Sequence, residues 1–146
     1  MMRSMHKACI TLSLSQFKSI YEGLLEIDAP EAGIFFRLLS GFDEWTEKTG
    51  LDISSWQSLR RLNEAPYGRP LRDNGRITLI INRAQAVIMT DGCASICLYR
   101  LCNFFHRLSV IMHLEKKDKG HAYDISEADS LNDAMEQLEK ELTEYD

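Results

Sequence analysis

The segment 92–114 constrains the fold of this chain more than any other, because apolar side chains point in nearly every direction around it. Drawn as a helix at about 100° per residue, it leaves a narrow polar sector at Arg100, Asn103 and Arg107. A helix that is apolar all round has to be enclosed by the rest of the protein. We therefore predict a long central helix over about 92–114, beginning after Asp91.

Two apolar runs before this helix predict a β-hairpin over about 76–90. Residues 77–81 and 86–90 are short and apolar, and a four-residue connection, 82–85, joins them. Their near-continuous apolar character predicts burial on both faces. We expect the hairpin to be buried and packed on the central helix.

The N-terminal part predicts a strand that leads directly into a helix. Residues 7–12 are short and β-branched, and Ser13 with Gln16 matches a capping box, in which the two side chains satisfy backbone groups at the start of a helix. Two more helices are expected before the hairpin, one beginning near Asp28 and a short one near Ser54.

Length and composition predict one α+β domain over 1–146, without an internal repeat. With 146 residues, 45% of them hydrophobic, the chain can bury a sizeable core. Four cysteines without a disulfide spacing, and no run of about 20 apolar residues, predict a cytoplasmic protein that does not enter a membrane. The predicted core residues are Phe17, Leu24, Phe35, Phe36, Leu39, Trp56, Leu79, Ile81, Val87, Met89, Leu101, Phe104 and Leu108.

Charge is segregated along the chain. Residues 1–56 carry about three more acids than bases, residues 57–120 about six more bases than acids, and residues 121–146 nine acids with a single lysine. The overall net charge is −5. Such segregation indicates a surface that attracts a partner of opposite charge, or one that pairs with the basic middle of the same fold.

The acidic C-terminal segment predicts an amphipathic helix over 126–145, capped by Ser126. Leucines and a methionine at spacings of four, three and four form a narrow apolar seam: Leu131, Met135, Leu138 and Leu142. The seam has to bury, either on the protein's own fold or in a homodimer of two such helices. We predict that the acids beside it bind a partner: Glu127, Asp129, Asp133, Glu136, Glu139, Glu141 and Glu144.

Catalytic and ligand-binding patterns are weak by comparison. Cys93 follows a predicted helix start but has no histidine near it in sequence. Cys102, His106 and His113 share one side of the central helix, yet the two histidines are separated by about 10 Å along its axis, too far for one zinc ion. We therefore predict no catalytic residue, no metal and no cofactor. Arginines in and before the loop 69–76 form a candidate anion site: Arg60, Arg61, Arg69, Arg72 and Arg76.

The function that best fits the sequence is a small acidic protein-binding module. It would inhibit, neutralise or escort a partner with a basic surface, as inhibitors, immunity or antitoxin proteins and dedicated chaperones do. One alternative is a small enzyme or anionic-ligand binder that uses the loop 69–76. A second is a nucleic-acid binder that uses the basic middle segment.

Overall fold

The computed structural model describes residues 7–32, 35, 76–116 and 120–145. Within these ranges the predicted α+β class is confirmed, since helices pack on a three-stranded sheet. In chain order the elements are β1 (Lys7–Ser13), α1 (Leu14–Glu26), β2 (Arg76–Asn82), α2 (Arg83–Ser95), α3 (Tyr99–Leu114), β3 (His121–Asp124) and α4 (Ala128–Thr143). The second and third helices predicted from the sequence fall largely outside the described residues.

The sheet has the order β2-β1-β3, so the predicted N-terminal strand is confirmed and lies in the middle. β1 pairs antiparallel with β2, which places Ile10 opposite Leu79, and parallel with β3, which places Ala8 opposite His121. Buried and half-buried residues alternate along β1, with Ala8, Ile10 and Leu12 on the buried side. This face of the sheet therefore carries the core, as the period of two in a strand requires.

The predicted hairpin over 76–90 is wrong in its second half. Residues 77–81 belong to β2, but residues 86–90 lie within α2, and β2 pairs with β1 instead. The N–H of Gln85 donates to Asn82 Oδ1 at 2.9 Å, and the N–H of Asn82 donates to Gln85 Oε1 at 2.7 Å. The connection expected to be a turn is thus the capping box of a helix.

The predicted single helix over 92–114 is also wrong, because the chain turns at residues 96–98 between α2 and α3. Cys97 has a φ of 64°, in the left-handed region, and the N–H of Leu98 donates to the Cys93 carbonyl at 2.9 Å. A left-handed residue just past a helix end is a common way to terminate it. As a result α3 folds back and packs against α2 instead of extending it.

β1 with α1 and β2 with α2 form an internal repeat, which the sequence analysis missed. In each unit a seven-residue strand leads through a capping box into a thirteen-residue helix. Gln16 and Gln85 hold the same place in the two boxes, and Asp28 and Cys97 both have positive φ just past the helix. Buried helical positions correspond as well: Phe17 with Ala86, Ile20 with Met89, Gly23 with Gly92, and Leu24 with Cys93.

An approximate twofold axis relates the two units. It passes between Ile10 and Leu79, which are counterparts in the repeat and lie opposite each other in the sheet. α1 and α2 meet at Gly23 and Gly92, again counterparts, and a Cβ placed on Gly23 would lie only 2.1 Å from the Gly92 carbonyl oxygen. Glycine at this crossing allows the two helix backbones to touch.

Most of the predicted core is confirmed. Phe17 stacks on Phe35 with ring centroids 4.1 Å apart. The prediction that Val87 belongs to the core is wrong, because Val87 is 37% exposed on α2. Phe36, Leu39 and Trp56 lie outside the described residues. The predicted core residues that are buried are Phe17, Leu24, Phe35, Leu79, Ile81, Met89, Leu101, Phe104 and Leu108.

Candidate functional site

The apolar seam of α4 packs on the protein's own fold. Leu131 and Leu138 are buried together with Ala134, while Met135 and Leu142 are partly buried against the same core. α4 contacts α3 and β3 through this side. The prediction that the seam must bury is therefore confirmed within one chain, and a homodimer would have to use another surface.

Polar side chains of α3 hold α4 in place. Arg107 Nη1 donates to the Met135 carbonyl at 3.2 Å and lies 3.8 Å from Glu139 Oε2. Arg100 donates to the Asn132 side chain. The narrow polar sector of the apolar helix is thus directed at α4, which gives the helix a fixed orientation as well as a buried side.

The N-terminus of α4 differs from the prediction. Glu127, not Ser126, is the cap residue, and its N–H donates to Ser130 Oγ at 3.2 Å. Ser126 instead donates to Asp124 Oδ1 through both its N–H and its hydroxyl, at 2.9 and 2.6 Å. Partial burial of Asp124 acts to raise its pKa, but the Ser126 hydrogen bonds and Arg76 outweigh this and hold the pKa below its ordinary value.

The acids of α4 fall into three groups when the helix is viewed at 100° per residue. Asp129, Asp133, Glu136 and Glu144 are exposed and project within a sector about 80° wide, opposite the seam. We call these four residues the acidic face. Two further acids flank the seam: Glu139, which is exposed beside Arg107, and Glu141, which is partly buried near β3. Glu127 precedes the helix and is exposed.

Among the described residues, the acidic face has little charge compensation. In the part of the chain that the structure describes, Arg107 is the arginine that approaches an acid of α4, and it approaches Glu139 rather than the acidic face. Lys140 lies within the same sector of α4 as the face and is exposed. Partner binding by these acids stays a prediction, but the structure directs four of them away from the fold.

A second cluster, buried at the other flank of α4, was not anticipated from the sequence. His121 Nε2 lies 2.6 Å from Glu115 Oε2, and His121 Nδ1 lies 2.7 Å from the Tyr123 hydroxyl. The side chains of His121 and Glu115 are 5% and 0% exposed. Glu115, His121 and Glu141 each offer one atom that could bind a metal ion, and these three atoms lie within 4.8 Å of one another. We call these three residues the Glu–His–Glu cluster.

Local structure explains how the cluster forms. Glu115 follows the last residue of α3, and its N–H still donates to the Ile111 carbonyl. His121 begins β3, in which His121 and Tyr123 are buried while Ala122 and Asp124 are exposed. This alternation in HAYD is a strand signal, but four residues are too few to predict a strand from the sequence.

The Tyr123 ring packs between the buried histidine, His121, and the core residue Phe104. It stacks on the His121 ring at 5.7 Å and meets the Phe104 ring edge-on at 5.6 Å. Burial, followed by the negative charges of Glu141 and Glu115, raises the pKa of the Tyr123 hydroxyl well above its ordinary value. The hydroxyl therefore stays protonated at neutral pH and remains a neutral hydrogen-bonding partner.

The other sites considered from the sequence are not assembled in the described residues. Cys93 lies in the last turn of α2, not at a helix start, and burial together with the nearby Cys102 raises its pKa to about 12. Burial and the raised pKa both disfavour the thiolate form that a nucleophilic cysteine needs. Cys102, His106 and His113 do not converge on a common point, and both histidines are exposed.

Of the predicted anion-site arginines, the structure describes one. Arg76 lies in β2 and pairs with Asp124 at 3.4 Å, so part of its charge is used within the fold. Arg60, Arg61, Arg69 and Arg72 lie outside the described residues.

Comparison of the chain with protein-family models, with curated proteins and with solved structures finds no match. None of the described helices is long and apolar enough to cross a membrane.

Proposed function

We propose that this protein is a cytoplasmic binding module whose acidic face docks on a basic surface of another protein and thereby neutralises or escorts it. The proposal rests on one observation. The seam of α4 is buried against the protein's own fold, whereas the acidic face, Asp129, Asp133, Glu136 and Glu144, projects from the opposite side of the helix. A helix that only had to complete the fold would not need this concentration of carboxylates.

The anchoring of α4 on the fold supports electrostatic docking. Leu131 and Leu138 anchor the helix, and Arg107 holds its backbone at Met135. The carboxylates are therefore presented in a fixed array, which avoids the ordering cost that a disordered acidic tail pays when it binds. A fixed array of like charge also steers an oppositely charged partner and raises the association rate about 10- to 1,000-fold at low salt.

The test compares two variants with the same change in charge. One carries Asp129→Asn, Asp133→Asn and Glu136→Gln on the acidic face. The control carries Glu22→Gln, Glu26→Gln and Asp91→Asn, which are exposed acids on α1 and α2. Tagged wild-type protein captures partners from its native host, and captured proteins are quantified by mass spectrometry.

For a captured partner, association rates are then measured across a range of salt concentrations. We expect the acidic-face variant to associate at least about tenfold more slowly at low salt, with the difference shrinking as screening increases. The control variant should behave like wild type. Equal loss in both variants would mean that net charge matters and the acidic face does not, and an unchanged rate in the acidic-face variant would reject the proposal.

A further inference from the structure

We propose that the Glu–His–Glu cluster is a binding site for a first-row divalent metal ion of the zinc class, held by Glu115, His121 and Glu141. The three donor atoms lie within 4.8 Å of one another although they come from three separate elements: the end of α3, the start of β3 and the last turns of α4. The proposal is independent of the function assigned to the acidic face.

The spacing suits one ion. Zinc bonds to imidazole nitrogen and carboxylate oxygen are about 2.0–2.2 Å long, so two ligands in a tetrahedral site lie about 3.3 Å apart. His121 Nε2 and Glu115 Oε2 are now 2.6 Å apart, as expected when a hydrogen joins them. Replacing that hydrogen by a metal ion requires them to separate by less than 1 Å. Glu141 is partly exposed, and its oxygen, within 4.8 Å of the other two donor atoms, has to move closer by at most about 1.5 Å to reach the same spacing.

Tyr123 is placed to fix the tautomer that metal binding needs. When Nε2 of a histidine binds a metal, Nδ1 carries the hydrogen and usually donates it to an oxygen acceptor. The Tyr123 hydroxyl lies 2.7 Å from His121 Nδ1, and the stacked rings hold the imidazole in the orientation that directs Nε2 at Glu115. Metal sites in proteins are commonly supported by such an outer partner.

Charge and donor type indicate which ions fit. Two carboxylates and one neutral imidazole around a divalent ion give a site without net charge, which makes burial of the Glu115 carboxylate less costly. One nitrogen and two oxygens suit zinc, cobalt, iron or manganese. Calcium and magnesium prefer six or more oxygen ligands, more than these side chains supply. A bound ion would join α4 to the sheet through Glu141.

The experiment uses the full chain, stripped of metal with a chelator and then titrated with Co²⁺, whose visible absorption reports its coordination. We expect one cobalt ion per chain, with tetrahedral absorption bands, and its displacement by Zn²⁺. Metal should also raise the melting temperature. No binding to wild-type protein would overturn the proposal.

Variants locate the ion. Glu141→Gln should weaken binding at least tenfold, and Tyr123→Phe about 10- to 100-fold, as loss of an outer partner typically does. Glu139→Gln removes an acid from the opposite flank of α4 and should leave the affinity unchanged. His113→Gln should also leave the metal affinity unchanged, because His113 is exposed and lies outside the cluster; this variant checks whether a surface histidine binds the ion instead. Full affinity in Glu141→Gln, or equal loss in Glu139→Gln, would overturn the assignment, and circular dichroism without metal confirms that each variant is folded.

Discussion

Replacing Gly23 by alanine tests the twofold arrangement of the two strand–helix units most directly. The added Cβ would lie 2.1 Å from the Gly92 carbonyl oxygen and 2.7 Å from its carbonyl carbon. Both atoms are backbone, so no side-chain rotation relieves the contact. An ordinary contact is at least 3.4 Å, and α1 and α2 must therefore move apart by more than 1 Å.

The magnitude follows from two opposing effects. Overpacking of a tight contact costs about 1–3 kcal/mol, and a shift of two backbones belongs at the upper end. Alanine in place of glycine inside a helix returns about 1 kcal/mol. We expect Gly23→Ala to lower the free energy of unfolding by about 2 kcal/mol, which corresponds to a fall of about 4–8 °C in melting temperature for a protein of this size.

Gly92→Ala is the matched control, because it makes the same chemical change at the counterpart position. There the new Cβ would lie 3.1 Å from Leu24 Cδ2, the end of a flexible side chain, and 3.3 Å from the Leu24 backbone nitrogen, so a shift of a few tenths of an ångström relieves the contact. We expect it to change stability by less than about 1 kcal/mol. Urea unfolding of both variants measures the difference, and a Gly23→Ala protein as stable as wild type would refute the close backbone crossing.

Two further predictions concern individual side chains. Iodoacetamide added to the native protein should modify the exposed Cys97 at least about a hundredfold faster than Cys93, because Cys93 is buried and its pKa is raised to about 12. Peptide mass spectrometry measures the two rates, and equal rates would contradict the buried position of Cys93. Because the pKa of Asp124 is lowered in the folded state, its stabilising effect is present above its ordinary pKa and is lost as the pH falls below about 4. Asp124→Asn should therefore reduce stability to urea near pH 7, by less than about 1 kcal/mol since the side chain is half exposed. The difference from wild type should shrink as the pH falls below about 4.

Capping patterns in the sequence predicted where a helix begins better than apolar runs predicted which element a segment forms or which strand it pairs with. Ser13 with Gln16 was identified correctly as a capping box because such a box depends on residues three positions apart. Asn82 with Gln85 has the same form, but the apolar runs on either side favoured a hairpin. A buried helix and a buried strand are both apolar, so composition alone does not distinguish residues 86–90 as one or the other.

The internal repeat was missed for a related reason. Its two units share burial and backbone conformation more than residue identity: Phe17 corresponds to Ala86, and Ile20 to Met89. Side chains of different size fill corresponding positions because each unit packs against different surroundings. The two units do share a glutamine, Gln16 with Gln85, and a glycine, Gly23 with Gly92, but two such identities are too weak a signal to identify a repeat.

For the candidate sites, the sequence predicted the charge of α4 but not the elements that α4 contacts. The sequence by itself determined that a capped, acidic helix with a buried seam follows a very apolar middle segment, because helical periodicity and charge depend on neighbours along the chain. The tertiary structure alone decided that the seam packs on α3 and β3, that Arg107 approaches Glu139, and that the four acids of the acidic face are exposed. It also brought Glu115, His121 and Glu141 together. Such contacts depend on how distant elements pack, and no local pattern encodes the distance between them.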